Sequence, residues 1–150
     1  MNGVIMKITL FFSPEESAFL VTSRVILPRI AKPLTFIVDT GSPKSFIGAI
    51  DAKKWEIPFT TKRPEIIYWG DKEFKLQLLR NVQLWLVGEE DGQEKIKYMK
   101  KPSPKLYVTH DYVHEEKGDI SPNVLGIDFL FNNGFRLVID GKSRTAWLED

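Results

Sequence analysis

Short runs of β-branched and aromatic residues, each closed off by proline, glycine or a small polar residue, recur along the whole chain. That cadence constrains the fold more than any other feature, because such runs suit pleated, half-buried strands and are too short for amphipathic helices. Residues 5–12 (IMKITLFF) read as a strand, 13–17 (SPEES) as a turn and 18–26 (AFLVTSRVI) as the returning strand of a hairpin. Ser13 and Pro14 also have the residue types of a helix start, but too few periodic apolar residues follow to sustain one. Residues 27–33 (LPRIAKP) are expected as a loop, since two prolines remove ladder donors, with a further strand at 34–38. Residues 45–47 read as a short strand and 48–56 as a short helix that ends before Pro58. Residues 64–79 form a hairpin turning at Trp69-Gly70-Asp71-Lys72, and 81–87 an alternating strand. A polar turn at 88–93, strands at 94–101 and 105–109, and a charged surface loop at 110–122 follow. A last hairpin pairs 135–140 with 145–148 around Gly141-Lys142.

With 150 residues, 43% of them apolar, the chain supports one domain, 1–150, with a proper core. Lys and Arg total 21 against 20 Asp and Glu, a formal net charge of +1, so nothing in the bulk charge points to nucleic acid or to an anionic membrane. No run approaches the roughly 18 apolar residues of a membrane span, and a soluble, cytoplasmic protein is the expectation. Cysteine is absent, which removes disulfides, thiol nucleophiles and cysteine-based zinc sites. His110 and His114 have a spacing that binds metal on a helix, but the charged surroundings and Gly118 favour a solvated loop, so no metal and no cofactor are expected. The lysines between 95 and 105 read likewise as a solvated hairpin face rather than an RNA contact.

One stretch stands apart: Phe36-Ile37-Val38-Asp39-Thr40-Gly41-Ser42. Three apolar strand formers deliver a carboxylate to the edge of a turn, and Gly41 lets the backbone reverse there. The sequence Asp-Thr-Gly occurs once, with no internal repeat. A second stretch, Asn123-Val124-Leu125-Gly126-Ile127-Asp128-Phe129-Leu130, lies about 90 residues downstream.

The first stretch closely resembles the active-site signature of the aspartic proteases, and its single copy in a short chain resembles the retroviral, retropepsin-like type. The second is similar to the apolar-apolar-Gly-x-Asp-x-Leu segment of that family, in which Leu-Gly crosses beneath the active-site loop and a short helix follows. By that resemblance Leu125 and Gly126 support the site, residues 128–132 form the helix, and Asn133-Gly134 stops it. The implied fold is all-β, a closed or partly open acid-protease barrel with one or two short helices. The implied catalytic residues are Asp39, Thr40 and Gly41. The implied flap is the hairpin at 64–79, with Ser42, Tyr68, Trp69 and Gly70 toward substrate. Its tip departs from the glycine-rich tips common in retroviral enzymes.

Metal-free peptide hydrolysis needs one group to take a proton from water and another to give one to the substrate. Two carboxylates about 3 Å apart cannot both ionise, so a single shared proton supplies base and acid together. One such Asp per chain implies a homodimer, with Asp39 and its mate on the two-fold axis and Thr40 bonding across it. The resemblance therefore implies an aspartic endopeptidase acting on peptide or protein substrates, the alternative being a catalytically silent peptide-binding or dimerisation domain. Ser42 stands where retroviral enzymes commonly carry Ala. A hydroxyl donating to the outer carboxylate oxygen stabilises its charge, and the expected working pH is lower on that account. Asp128 is read as a capping or packing residue and Asp140 as a turn residue.

Overall fold

The computed structural model describes residues 6–90, 93–99, 104–115 and 118–150. In chain order the elements are β1 (Lys7–Ser13), β2 (Ala18–Leu27), β3 (Ile30–Val38), β4 (Ser45–Ile47), α1 (Ala49–Lys54), β5 (Glu65–Trp69), β6 (Lys72–Leu78), β7 (Gln83–Glu90) and β8 (Gln93–Met99). Then come β9 (Leu106–Val108), β10 (Val113–Glu115), β11 (Gly118–Ile120), β12 (Asn123–Leu125), α2 (Ile127–Asn133), β13 (Arg136–Asp140) and β14 (Thr145–Glu149). Twelve strands make one mixed sheet in the order β13-β14-β1-β7-β2-β3-β12-β4-β9-β6-β5, with β8 added on β7, while β10 and β11 pair separately. The sheet does not close on itself, so the architecture is all-β, of the partly open kind, with two short helices.

The long strands alternate. Ile8 and Leu10 of β1, Val21 and Val25 of β2, Leu84 and Leu86 of β7 and Ala146 and Leu148 of β14 point into one core, while Lys7, Thr9, Thr22 and Arg24 point out. Each large aliphatic side chain so buried contributes about 1.5–3 kcal/mol. The short strands β4, β9 and β12 are different, being buried at every position, as strands covered on both faces are. They lie together at the centre of the sheet: β12 runs parallel to β3 and antiparallel to β4, and β4 runs parallel to β9. A second, smaller core of Phe46, Ile67, Phe74, Leu76, Tyr107 and Val124 fills the space under the β5–β6 hairpin.

Several expectations change. The loop at 27–33 shrinks to Pro28 and Arg29, because β3 begins at Ile30 and Pro33 sits opposite Arg24 in the ladder with β2. Proline is tolerated there because β12 pairs only Phe36, Ile37 and Val38, so among the described residues the start of β3 has β2 alone beside it. The polar turn at 88–93 is shorter as well, since β7 runs to Glu90 and β8 starts at Gln93; residues 91 and 92 lie outside the described residues. Residues 5, 100 and 101 of the two expected strands also lie outside them. The segment 110–122 contains the β10–β11 hairpin rather than loop alone, and its ends are tied down, Ser121 and Thr109 being buried. At 13–17 there is a turn, with Ser17 N–H donating to Pro14 O and Ser17 at φ 49°. The last helix, α2, stops at Gly134, which takes the left-handed conformation at φ 65°. Among the described residues no helix is long and apolar enough to cross a membrane.

Candidate active site

The acid turn is built from the parallel ladder upward. Val38 lies opposite Leu125, and the next backbone donor, Asp39 N–H, bonds to Leu125 O at 2.9 Å, so the turn leaves the sheet directly from its parallel β3–β12 ladder. Ser42 N–H returns to Asp39 O at 3.1 Å and closes the turn. Gly41 N–H donates to Asp39 Oδ1 at 2.9 Å, and a Cβ on Gly41 would stand only 3.1 Å from that oxygen. Glycine therefore lets the amide approach the carboxylate without a side chain pressing on it. Asp39 is half-buried and Thr40 is exposed.

Beneath the turn runs the segment Leu125-Gly126-Ile127. Ile127 N–H donates to Ser42 O at 2.8 Å, and a Cβ on Gly126 would fall 2.5 Å from both Ser42 O and Lys44 O. No side chain fits at that crossing. Gly126 N–H donates to Ser45 Oγ at 2.8 Å, and Ser45 Oγ donates to Asp128 Oδ1 at 2.7 Å. Asp128 also accepts from the backbone amides of Ser45 and Phe129. Burial is the largest influence on this carboxyl and raises its pKa, against the lowering effect of the Ser45 and Phe129 bonds and of Lys44. Asp128 thus ties the first turn of α2 to β4.

The hydroxyl of Ser42 overturns one expectation. Ser42 is buried, and its Oγ donates to Lys44 O at 2.7 Å instead of to the Asp39 carboxylate. The backbone carbonyl two residues on accepts the hydroxyl's hydrogen bond once the turn has closed, so the argument for a lowered working pH loses its premise.

The β5–β6 hairpin stands over this turn. Its tip, Gly70, has φ +63° with open space where a Cβ would be, which is a conformational demand and not a packing one. Trp69 packs edge-on against Phe46 (centroids 6.4 Å apart) and tilted against Phe74 (6.3 Å), whereas Tyr68 is 68% exposed. Asp39, Gly41 and Ser42 on one side and Ile67, Tyr68, Trp69 and Gly70 on the other enclose a cavity of ≈ 160 Å³. Thr40 is not among its lining residues.

Three residues that sequence reasoning did not single out join the hairpin to the acid turn. Lys44 Nζ lies 3.3 Å from Glu65 Oε2, and Tyr107 Oη donates to Glu65 Oε1 at 3.1 Å. Burial lowers the Lys44 pKa, but the bond to Glu65 and the neighbouring Tyr107 outweigh it and leave the ammonium above its usual value. The Tyr107 phenol is raised by burial first, with Lys44 opposing and Glu65 adding to the rise, so it stays a donor. These three residues come from separate elements far apart in the chain, and no local pattern announces them.

Other candidates take structural places. His110 Nε2 hydrogen-bonds Ile57 O at 2.8 Å, and its ring tilts against Phe59. The side chain of His114 lies outside the described residues. Asp140 Oδ1 accepts from the amides of Lys142 and Ser143, in keeping with a turn residue, and these bonds lower its pKa. Within the lysine strip, Lys95 pairs with Glu90 and Lys97 with Asp150.

No family model matches the chain, and no curated protein matches it. Among solved structures it is similar to the crystal structure of a retropepsin-like aspartic protease from Rickettsia conorii, with a TM-score of 0.51 and 18% sequence identity over 99% of this chain and 96% of that one. The likeness is one of fold and spans nearly the full length of both chains, so the partly open sheet described above is a retropepsin-like fold.

Proposed function

We propose that this chain is an aspartic endopeptidase that works as a homodimer, with a water activated between two Asp39 carboxylates. The observation that carries the reading is the cavity in which Asp39, braced by the Gly41 amide, faces the underside of a β-hairpin. A single chain offers one such acid. Among the described residues Asp128 and Glu65 are further carboxylates near the turn, but Ser45 bonds to both oxygens of Asp128 and Lys44 and Tyr107 hold Glu65, so neither is placed to share a proton with Asp39. The second acid therefore comes from a second copy, across a two-fold axis that brings the two turns together.

In that arrangement the two carboxylates share one proton, the ionised one takes a proton from water and the other supplies one to the scissile carbonyl. Thr40, exposed on the turn beside Asp39, is the residue we assign to the contact across the axis. The hairpin, with Tyr68, Trp69 and Gly70 at its tip, excludes water and holds an extended peptide against the acids. No metal or cofactor enters this mechanism.

The test combines sedimentation equilibrium with cleavage of an unfolded protein from acid to neutral pH, with and without a statine-type inhibitor. The reading requires a dimer whose inhibitor-sensitive cleavage disappears in Asp39→Asn, with dimerisation and peptide binding retained. A strict monomer without cleavage sinks it. A dimer that binds peptide but never cleaves identifies instead a silent peptide-binding domain on the same fold.

A further inference from the structure

A second cavity, ≈ 460 Å³, adjoins the base of the same hairpin, and two arginines, Arg63 and Arg80, line it. Both are exposed, and among the described residues neither guanidinium has a carboxylate partner. Two like charges on one cavity wall repel unless an anion lies between them, and the planar fork of arginine matches a carboxylate with two parallel bonds. The one acid lining this cavity, Glu65, does not serve as that anion. Its Oε2 faces Lys44 Nζ and its Oε1 accepts from Tyr107, so both oxygens are taken by other partners. The space lies within the 300–1,000 Å³ typical of ligand pockets, roughly.

The backbone around it suits an extended peptide. The ladder between β5 and β6 ends at Glu65 opposite Leu76, while Gln77 and Leu78 pair with β9 on their other side. Among the described residues the edge of β6 beyond Leu76 thus has no strand on it, and a peptide laid there gains main-chain bonds. Leu78, 43% exposed on this stretch, offers an apolar contact. Gln77 is held in place by accepting from the Thr60 and Thr61 amides and donating to Pro58 O, which fixes the loop that carries Arg63.

We infer that this cavity is a binding site for an acidic side chain of an extended peptide, taken up between Arg63 and Arg80. The two cavities sit on one strand: Glu65 lines this one, and residues from Ile67 onward line the one at Asp39. At about 3.3 Å per residue, Glu65 and Tyr68 are roughly 10 Å apart. A peptide under the hairpin that continues along its base presents its third residue or so from the cleaved bond to the arginines. That placement rests on the endopeptidase reading; the binding of an acidic peptide does not.

The experiment uses Asp39→Asn protein, which binds without cleaving, and a fluorescent apolar peptide series carrying one Glu, one Gln or one Lys at each position in turn. Anisotropy titrations in low and moderate salt should show, at one position, the Glu peptide binding about tenfold more tightly than its Gln twin, a typical gain for a charge-assisted pair. The preference should vanish in Arg63→Gln/Arg80→Gln and turn toward Lys in Arg63→Glu/Arg80→Glu. Both side chains are exposed, so circular dichroism should report an unchanged fold in each variant. Equal binding of Glu and Gln peptides at every position, no binding of either, or a Glu preference that survives both double variants overturns the inference. An acid preference in a protein whose Asp39 form never cleaves would sink the enzyme and leave this site standing, whereas cleavage indifferent to Glu would do the reverse.

Discussion

Ser42 shows how one hydroxyl's choice of partner changes a chemical expectation. By residue type it was a donor for the carboxylate beside it, but the closed turn presents the Lys44 carbonyl at 2.7 Å and the hydroxyl takes that bond. Ser42→Ala should therefore cost about 1 kcal/mol of stability, the net worth of a neutral hydrogen bond, measured by urea unfolding. In the proposed endopeptidase the acid limb of the pH–rate profile should stay where it is. A limb that moves would mean that the hydroxyl addresses Asp39 in the proposed dimer after all. Gly126 teaches the opposite lesson. Its position in Leu-Gly was legible from sequence, and the reason is steric: Ser42 O and Lys44 O stand where a Cβ would go. Ser45 and Asp128, 83 positions apart, were not legible as a pair, because nothing local in either neighbourhood encodes the other.

At the scale of elements, the β5–β6 hairpin was readable from its turn residues, and its boundaries follow Gly70. What holds its tip was not readable. Trp69 reaches from the tip to Phe46 on β4 and Phe74 on β6, so the cover over Asp39 is pinned by rings and encloses only ≈ 160 Å³. In the proposed dimer this space is one chain's half of the peptide site. Trp69→Ala removes two ring contacts of about 0.5–1.5 kcal/mol each, so a loss of about 1–3 kcal/mol is expected. Amide exchange of Ile67–Lys75 should quicken while that of β2 and β7 stays constant. Unchanged exchange in the hairpin would show that the rings do not hold it. The helix α1 and the last hairpin came through from sequence because their signals, Pro58 after the one and Gly141 within the other, are local.

For the whole molecule, the two ends of the described chain meet. Asp150 Oδ1 accepts from Met6 N–H at 2.9 Å and Oδ2 from Lys97 Nζ at 2.8 Å, joining β1, β8 and the end of β14. The Lys97 bond, reinforced by the Met6 amide and opposed by burial, lowers the Asp150 pKa below 3.8. A lowered carboxyl contributes stability above its unfolded value, and that contribution fades as pH falls through the folded value. Asp150→Asn should thus lower the urea midpoint at neutral pH and converge on the parent protein in strong acid. Asp128, raised by burial, has the reverse sign: its contribution is full below 3.8 and is lost as pH rises through the folded value. A constant gap between parent and Asp150→Asn at all pH values would refute the linkage. By itself the sequence determined the strand cadence, the turns at 13–17 and 69–72 and within the last hairpin, the short helices and the acid on its strand, because each depends on residues within a few positions of one another. Tertiary structure alone decided that Pro33 lies in a strand, that Ser42 turns to Lys44, and that Lys44, Glu65 and Tyr107 meet. It also decided which cavities Asp39, Arg63 and Arg80 line. Those outcomes depend on which strands become neighbours in space, and contacts of that kind leave no periodicity to read.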